Sequence, residues 1–127
     1  AYRSYAEQKT IHARQVEKYG LKAGEALAAR PGYSEHQTGW AMYVSARGQG
    51  CQIRVCFGQT KAGLWLTENS WRFGFIIRYP SEATKVTGYQ YEPWHLRYAG
   101  IGLATVMHDD KVRVLEKFLH YPSAPNY

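Results

Sequence analysis

Residues 31–45, P-G-Y-S-E-H-Q-T-G-W-A-M-Y-V-S, restrict the fold more than any other stretch. Pro31-Gly32 opens it with a turn, His36 stands at a loop exit, and residues 40–44 read as a buried strand. Along an extended chain Trp40, Met42 and Val44 point one way while Ala41 and Tyr43 point the other. Small Ala41 leaves room beside position 43 on that second face. A second histidine, His95, stands at the same kind of junction in Y-Q-Y-E-P-W-H-L-R-Y, three residues after Glu92. Two histidines at loop–strand junctions, one with a carboxylate nearby, are what a catalytic metal site needs: rigid ligands, one position open to water, and a base. Ordinary core or surface histidines are the competing reading.

The strings S-E-H-Q-T-G-W-A-M at 34–42 and Y-E-P-W-H-L-R-Y at 91–98 closely resemble the VanY-type D-alanyl-D-alanine carboxypeptidases, zinc peptidases of the LAS type that trim bacterial cell-wall stem peptides. The family's first motif, S-x-H-x-x-G-x-A-x-D, supplies a histidine and an aspartate as zinc ligands. Its second, E-P-W-H, supplies the base and the third ligand. The resemblance therefore implies His36 and His95 as zinc (Zn2+) ligands and Glu92 as base. Position 43, where the family has its aspartate, is Tyr43. From Y-R-S the resemblance implies that Arg3 stabilises the charge developing on the scissile carbonyl. It also implies that Ser34 helps hold the substrate's terminal carboxylate, with a turn hydroxyl as the bland alternative. Gln8, on the inner stripe of the first helix, joins Ser34 as a substrate-binding candidate.

A chain of 127 residues is one domain with a respectable core. The expected fold is α+β: a small single domain in which a mostly antiparallel sheet carries the site and helices pack on the other face. The family's preceding helix and strand are expected to be missing before residue 1, with membrane contact only through a segment absent here. No apolar run approaches the ~18 residues of a membrane span. The net charge of +6 suits an anionic neighbourhood. Its basic residues are scattered, with no nucleic-acid module signature, so nucleic acid is not an expected partner. Cys51 and Cys56 lack the further ligands a zinc pair needs. A disulfide across a short hairpin, contributing on the order of 2 kcal/mol or less, is the reading for a protein outside the cytosol; two buried thiols are the alternative.

In chain order, Ser4 and Glu7 form a capping box that starts a helix, and Gly20 stops it. Gln8, Ile11, Gln15 and Tyr19 share its stripe. A short helix over 22–29 ends ahead of Arg30-Pro31, and residues 46–56 form a hairpin excursion. Thr60 caps a helix over 61–72 that Gly74 closes, with Leu64, Trp65, Glu68 and Trp71 at helical spacing and the aromatics as core. Residues 75–79 are a strand ended by Pro80, 81–88 a polar loop, and 89–98 another strand. Pro93 cannot donate to a ladder, which implies an edge or a bulge. A bulge there would turn Glu92 and His95 into one cavity. Residues 102–119 are helical with a break near Asp109-Asp110, and 122–127 trail. His12, His108 and His120 are surface residues.

The expected function is a monomeric, extracytoplasmic zinc carboxypeptidase acting on the peptidoglycan stem peptide. The alternatives are a stem-peptide-binding module in which Tyr43 has abolished hydrolysis, and an L,D-carboxypeptidase or endopeptidase of the same superfamily. Weakened zinc affinity is expected in either case.

Overall fold

The structure is a computed structural model that describes residues 1–48 and 50–124. Its contacts divide the chain into two compact units, Ala1–Met42 and Tyr43–Tyr127.

The first unit is a helical pair. Helix α1, Tyr5–Tyr19, begins at Ser4 with the full capping box: the Ser4 side chain accepts from Glu7 N–H while the Glu7 carboxylate accepts from Ser4 N–H. That hydrogen bond from Ser4 holds the Glu7 carboxyl below its usual range. Gln8 is buried and Ile11, Gln15 and Val16 are half-buried, as the stripe requires. Tyr19, at the last helical position, is exposed, and Lys18 Nζ lies 4.8 Å from its ring centroid. Helix α2, Leu21–Glu25, packs on α1 so closely that a Cβ on Gly24 would lie 2.8 Å from Val16 Cα. It ends at Glu25 rather than reaching 29: Leu27 and Ala28 N–H both donate to the Gly24 carbonyl, so the chain tightens out of the ladder, and the Ala29 carbonyl accepts from the Gln8 side chain. His12 is half-buried, not a surface residue: it faces Glu25 at 3.5 Å, and Glu25 also pairs with Arg30. That Arg30 hydrogen bond, the largest cause, holds the Glu25 carboxyl low.

A three-stranded sheet has the order β1-β3-β2, with β1 at Ala41–Tyr43, β2 at Phe75–Ile77 and β3 at His95–Tyr98. The strand expected over 40–44 is thus shorter, and its Trp40–Met42 face is exposed, Trp40 by 58%. Ala41 is the buried residue. In the second unit β2 and β3 run antiparallel, pairing Ile76 with Arg97 and Ile77 with Leu96. Ile76 packs with Ala104 and Met107 of α5, Ile101–Asp109, and Trp71, Leu115 and Phe118 close around them. Ile77 and Leu96, on the other face of the strand pair, are buried as well. After the break at residues 110–114 comes α6, Leu115–Phe118.

Several sequence expectations in this unit change. Residues 46–56 do not form a hairpin among the described positions; Gln49 lies outside them. Cys51 and Ile53 adopt left-handed φ of 56° and 49°, which breaks any ladder, and the Cys51–Cys56 disulfide closes the loop with Cα atoms 5.5 Å apart. Helix α3, Lys61–Asn69, is capped by Thr60 as expected and continues as a 3-10 turn over Ser70–Phe73 to Gly74. However, Leu64 and Trp65 lie on its exposed side, Trp65 by 51%, and only Trp71 reaches the core. The loop over 81–88 contains a short helix α4, Thr84–Thr87, ended by Gly88. Of the tail, Ala124 N–H donates to Val86 O, and residues 125–127 lie outside the described residues. Among the described residues no helix is long and apolar enough to cross a membrane.

The start of α3 sits directly on the 3-10 segment Val55–Gln59. A Cβ on Gly63 would lie 2.0 Å from the Phe57 carbonyl oxygen, a backbone atom that cannot swing aside. Gly63→Ala is expected to cost about 3 kcal/mol in forced displacement, offset by roughly 1 kcal/mol of helix propensity. Its melting temperature should fall by several degrees, on the order of 5–10 °C. An unchanged or raised value in a thermal melt would contradict this packing.

Candidate active site

In the first unit Arg3 N–H donates to His36 O at 3.0 Å. The Arg3 guanidinium donates through Nη1 to Gln8 Oε1 at 2.8 Å, and Gln8 Nε2 donates to Ala29 O at 2.6 Å. The Gln8 amide is engaged at both ends, so here it orients Arg3. His36 is buried in the 3-10 turn Glu35–Thr38, with Nδ1 2.8 Å from the Ala1 carbonyl oxygen. Ser34 is buried at the start of that turn, and its hydroxyl does not cap it.

In the second unit Glu92-Pro93-Trp94-His95 form a tight turn, closed by His95 N–H donating to Glu92 O at 3.0 Å. Proline's fixed φ suits the second position of such a turn. This replaces both the continuous strand over 89–98 and the bulge: residues 89–94 carry no ladder. The consequence for chemistry is the same. Glu92 and His95 are buried, the latter to 3% exposure, and Glu92 Oε2 stands 3.1 Å from His95 Nδ1. The ring of Tyr43 stands edge-on to the His95 imidazole with centroids 5.3 Å apart, and Tyr79 does the same at 4.8 Å. Val44 N–H donates to Trp94 O at 2.9 Å, which ties the chain after Tyr43 to the turn.

The His36 imidazole suits a metal, because the Ala1 carbonyl oxygen beside Nδ1 fixes its orientation and tautomer, and the His95 imidazole is a buried ring with the Glu92 carboxylate in reach. A catalytic zinc centre needs three protein donors. Among the described residues no group of three or more His, Cys, Asp or Glu side chains gathers as such a set. His36 in the first unit and His95 in the second are each of the donor type zinc takes.

The family model described as VanY, D-alanyl-D-alanine carboxypeptidase, matches residues 1–101. The chain belongs to this family. The putative carboxypeptidase YodJ of Bacillus subtilis (strain 168) is 44% identical to this VanY-family chain over 117 residues, covering 92% of it and 43% of YodJ. The solved structure of the LdcB LD-carboxypeptidase matches with a TM-score of 0.86 at 43% identity, over 96% of this chain and 56% of that one. A mutant of the vancomycin resistance D,D-pentapeptidase VanY, in complex with Zn(II), matches with a TM-score of 0.79 at 38% identity, over 93% of this chain and 67% of that one. The chain spans less than two thirds of the length of the curated relatives it matches. The α+β fold class expected from sequence is the one these neighbours share.

Two residues that spacing did not single out belong to this site. Tyr79 packs on His95 and accepts Glu92 N–H at its carbonyl; Arg78 donates its N–H to His95 O. The only sequence signal was the strand end F-I-I-R-Y-P, which says nothing about the turn it meets.

Proposed function

We propose that this chain is a carboxypeptidase domain that releases the terminal D-alanine from peptidoglycan stem peptides, with zinc as its metal. The observation that supports it most is the buried Glu92–His95 pair, 3.1 Å apart within the E-P-W-H turn. In this reading His36 and His95 hold the metal and Tyr43 stands at the position of the family's aspartate. Zinc, when bound, supplies Lewis acidity toward water and carbonyl oxygen. Glu92 takes a proton from the attacking water and delivers one to the leaving amine. Arg3, braced by Gln8, donates to the carbonyl oxygen as charge builds there, and Ser34 binds the terminal carboxylate. The domain acts as a monomer outside the cytoplasm, a location that the Cys51–Cys56 disulfide supports.

A second reading is favoured by a specific observation. Tyr43 stands where the family has its aspartate, and three ordinary donors are not grouped among the described residues. In that reading the chain recognises stem peptide without cutting it. The test is release of free D-alanine from a stem pentapeptide with added zinc, beside peptide binding by calorimetry. Turnover at any metal-dependent rate supports the enzyme; binding without turnover supports the module. A stem tetrapeptide in the same assay reads out L,D activity, the bond class in the name of LdcB.

A further inference from the structure

Glu92 and His95 are not held by a long strand. Two backbone hydrogen bonds fix them instead. Glu92 N–H donates to Tyr79 O at 3.0 Å, and Arg78 N–H donates to His95 O at 3.1 Å. The Tyr79 ring, edge-on to the imidazole, adds a third constraint. All three come from one dipeptide, Arg78-Tyr79, at the end of β2.

What holds that dipeptide comes from far along the chain. Arg78 Nη1 and Nη2 donate to the two carboxylate oxygens of Glu116 in α6, at 3.0 and 2.5 Å. The two side chains are only 11% and 13% exposed. A two-pronged guanidinium–carboxylate pair fixes direction as well as distance, which an ammonium cannot do. The guanidinium also lies 5.1 Å from the Tyr79 ring centroid, where cation–π attraction restrains the ring that contacts His95. Helix α6 is anchored independently: Val114, just before it, is buried, and Leu115 and Phe118 pack on the Ile76 cluster.

We propose that Arg78, clamped by Glu116, is a positioning residue for the Glu92–His95 pair and acts through Tyr79. Only its activity readout rests on the reading of that pair as base and ligand. The competing role is plain fold stabilisation. The two separate, because a buried ion pair replaced on both sides by apolar chains of similar volume is often neutral for stability. Placement is different: an error of about 1 Å in a reacting group can lower the rate on the order of 100-fold.

The experiment follows the His95 imidazole in long-range 1H–15N spectra of the full 15N-labelled chain, together with thermal melts. Arg78→Lys keeps the charge and removes the fork. The double variant Arg78→Met/Glu116→Leu removes both charges and leaves no lone buried ion. Glu82→Gln, whose carboxylate meets Arg113 and the Ser81 hydroxyl at the surface, is the control. Arg78→Lys and the double variant should shift or broaden the His95 signals, while the double variant melts close to the parent and the control moves neither. In the Tyr43→Asp background kcat for D-alanine release should fall about tenfold or more, with KM within about twofold. His95 signals of Arg78→Lys and of the folded double variant that coincide with the parent's would overturn the proposal, whatever the melting temperatures. Should the double variant not fold, Arg78→Lys alone makes the comparison. If even the Tyr43→Asp parent releases no D-alanine, the function reading fails and the His95 spectrum alone decides the positioning role.

Discussion

Tyr43→Asp is expected to tighten zinc binding about 100-fold or more, and to raise D-alanine release by at least as much. Loss of groups that merely orient a ligand already costs about 10- to 100-fold in metal affinity, and a ligand position matters no less. A tyrosine hydroxyl with a reference pKa near 10 is ionised in only about one molecule per thousand at neutral pH, whereas an aspartate is ionised throughout. The phenol oxygen also sits several ångströms farther from the backbone than a carboxylate would. The exchange has a cost. The Tyr43 ring is half-buried against the edge of His95, and an aromatic contact of this kind is worth about 0.5–1.5 kcal/mol. Metal-free Tyr43→Asp should therefore melt a few degrees below the parent and gain more from added zinc, since a ligand bound only by the folded state stabilises it. Competition titration with a zinc indicator gives the affinities directly. Equal affinities for the two forms would mean that the chain finds its third donor elsewhere.

What could be read from sequence was local. The Ser4/Glu7 capping box, the stop at Gly20, the Thr60 cap, the Gly74 close and the break after Asp109 all depend on residues within one turn of each other. Strand lengths depend on partners, and there the sequence overreached: residues 40–44 became Ala41–Tyr43, and 89–98 became His95–Tyr98. Helical spacing marked Trp65 for the core, but the face of α3 that packs is the one carrying Gly63 against Phe57. A small residue chosen for close approach leaves no hydrophobic signal. In the candidate site, Glu92 and His95 were legible together from the E-P-W-H motif, although through an expected bulge rather than the turn that brings them into contact. Tyr79 and the Arg78–Glu116 pair were not: the register of β2 against that turn creates the first contact, and the packing of α6 on the Ile76 cluster creates the second, between residues 38 apart.

Glu92→Gln separates the two jobs a carboxylate beside His95 can do. If Glu92 is the base, the Tyr43→Asp/Glu92→Gln form should lose about 100- to 10,000-fold in kcat, the usual range for a positioned proton acceptor. Its zinc affinity should stay within severalfold of Tyr43→Asp, because a base is not a metal ligand and the amide matches the carboxylate in size. The single Glu92→Gln change in the Tyr43 chain asks the complementary question. With the phenol a poor donor, Glu92, 3.1 Å from His95, offers a carboxylate as a substitute ligand. Used that way, it is no longer a free base. Zinc affinity lost on Glu92→Gln in the Tyr43 chain, but kept in the Tyr43→Asp chain, would show that position 43 decides which job the carboxylate performs. Affinity unchanged in both, with turnover lost only where aspartate is present, makes Glu92 a base in this scaffold and leaves Tyr43 as the single lesion.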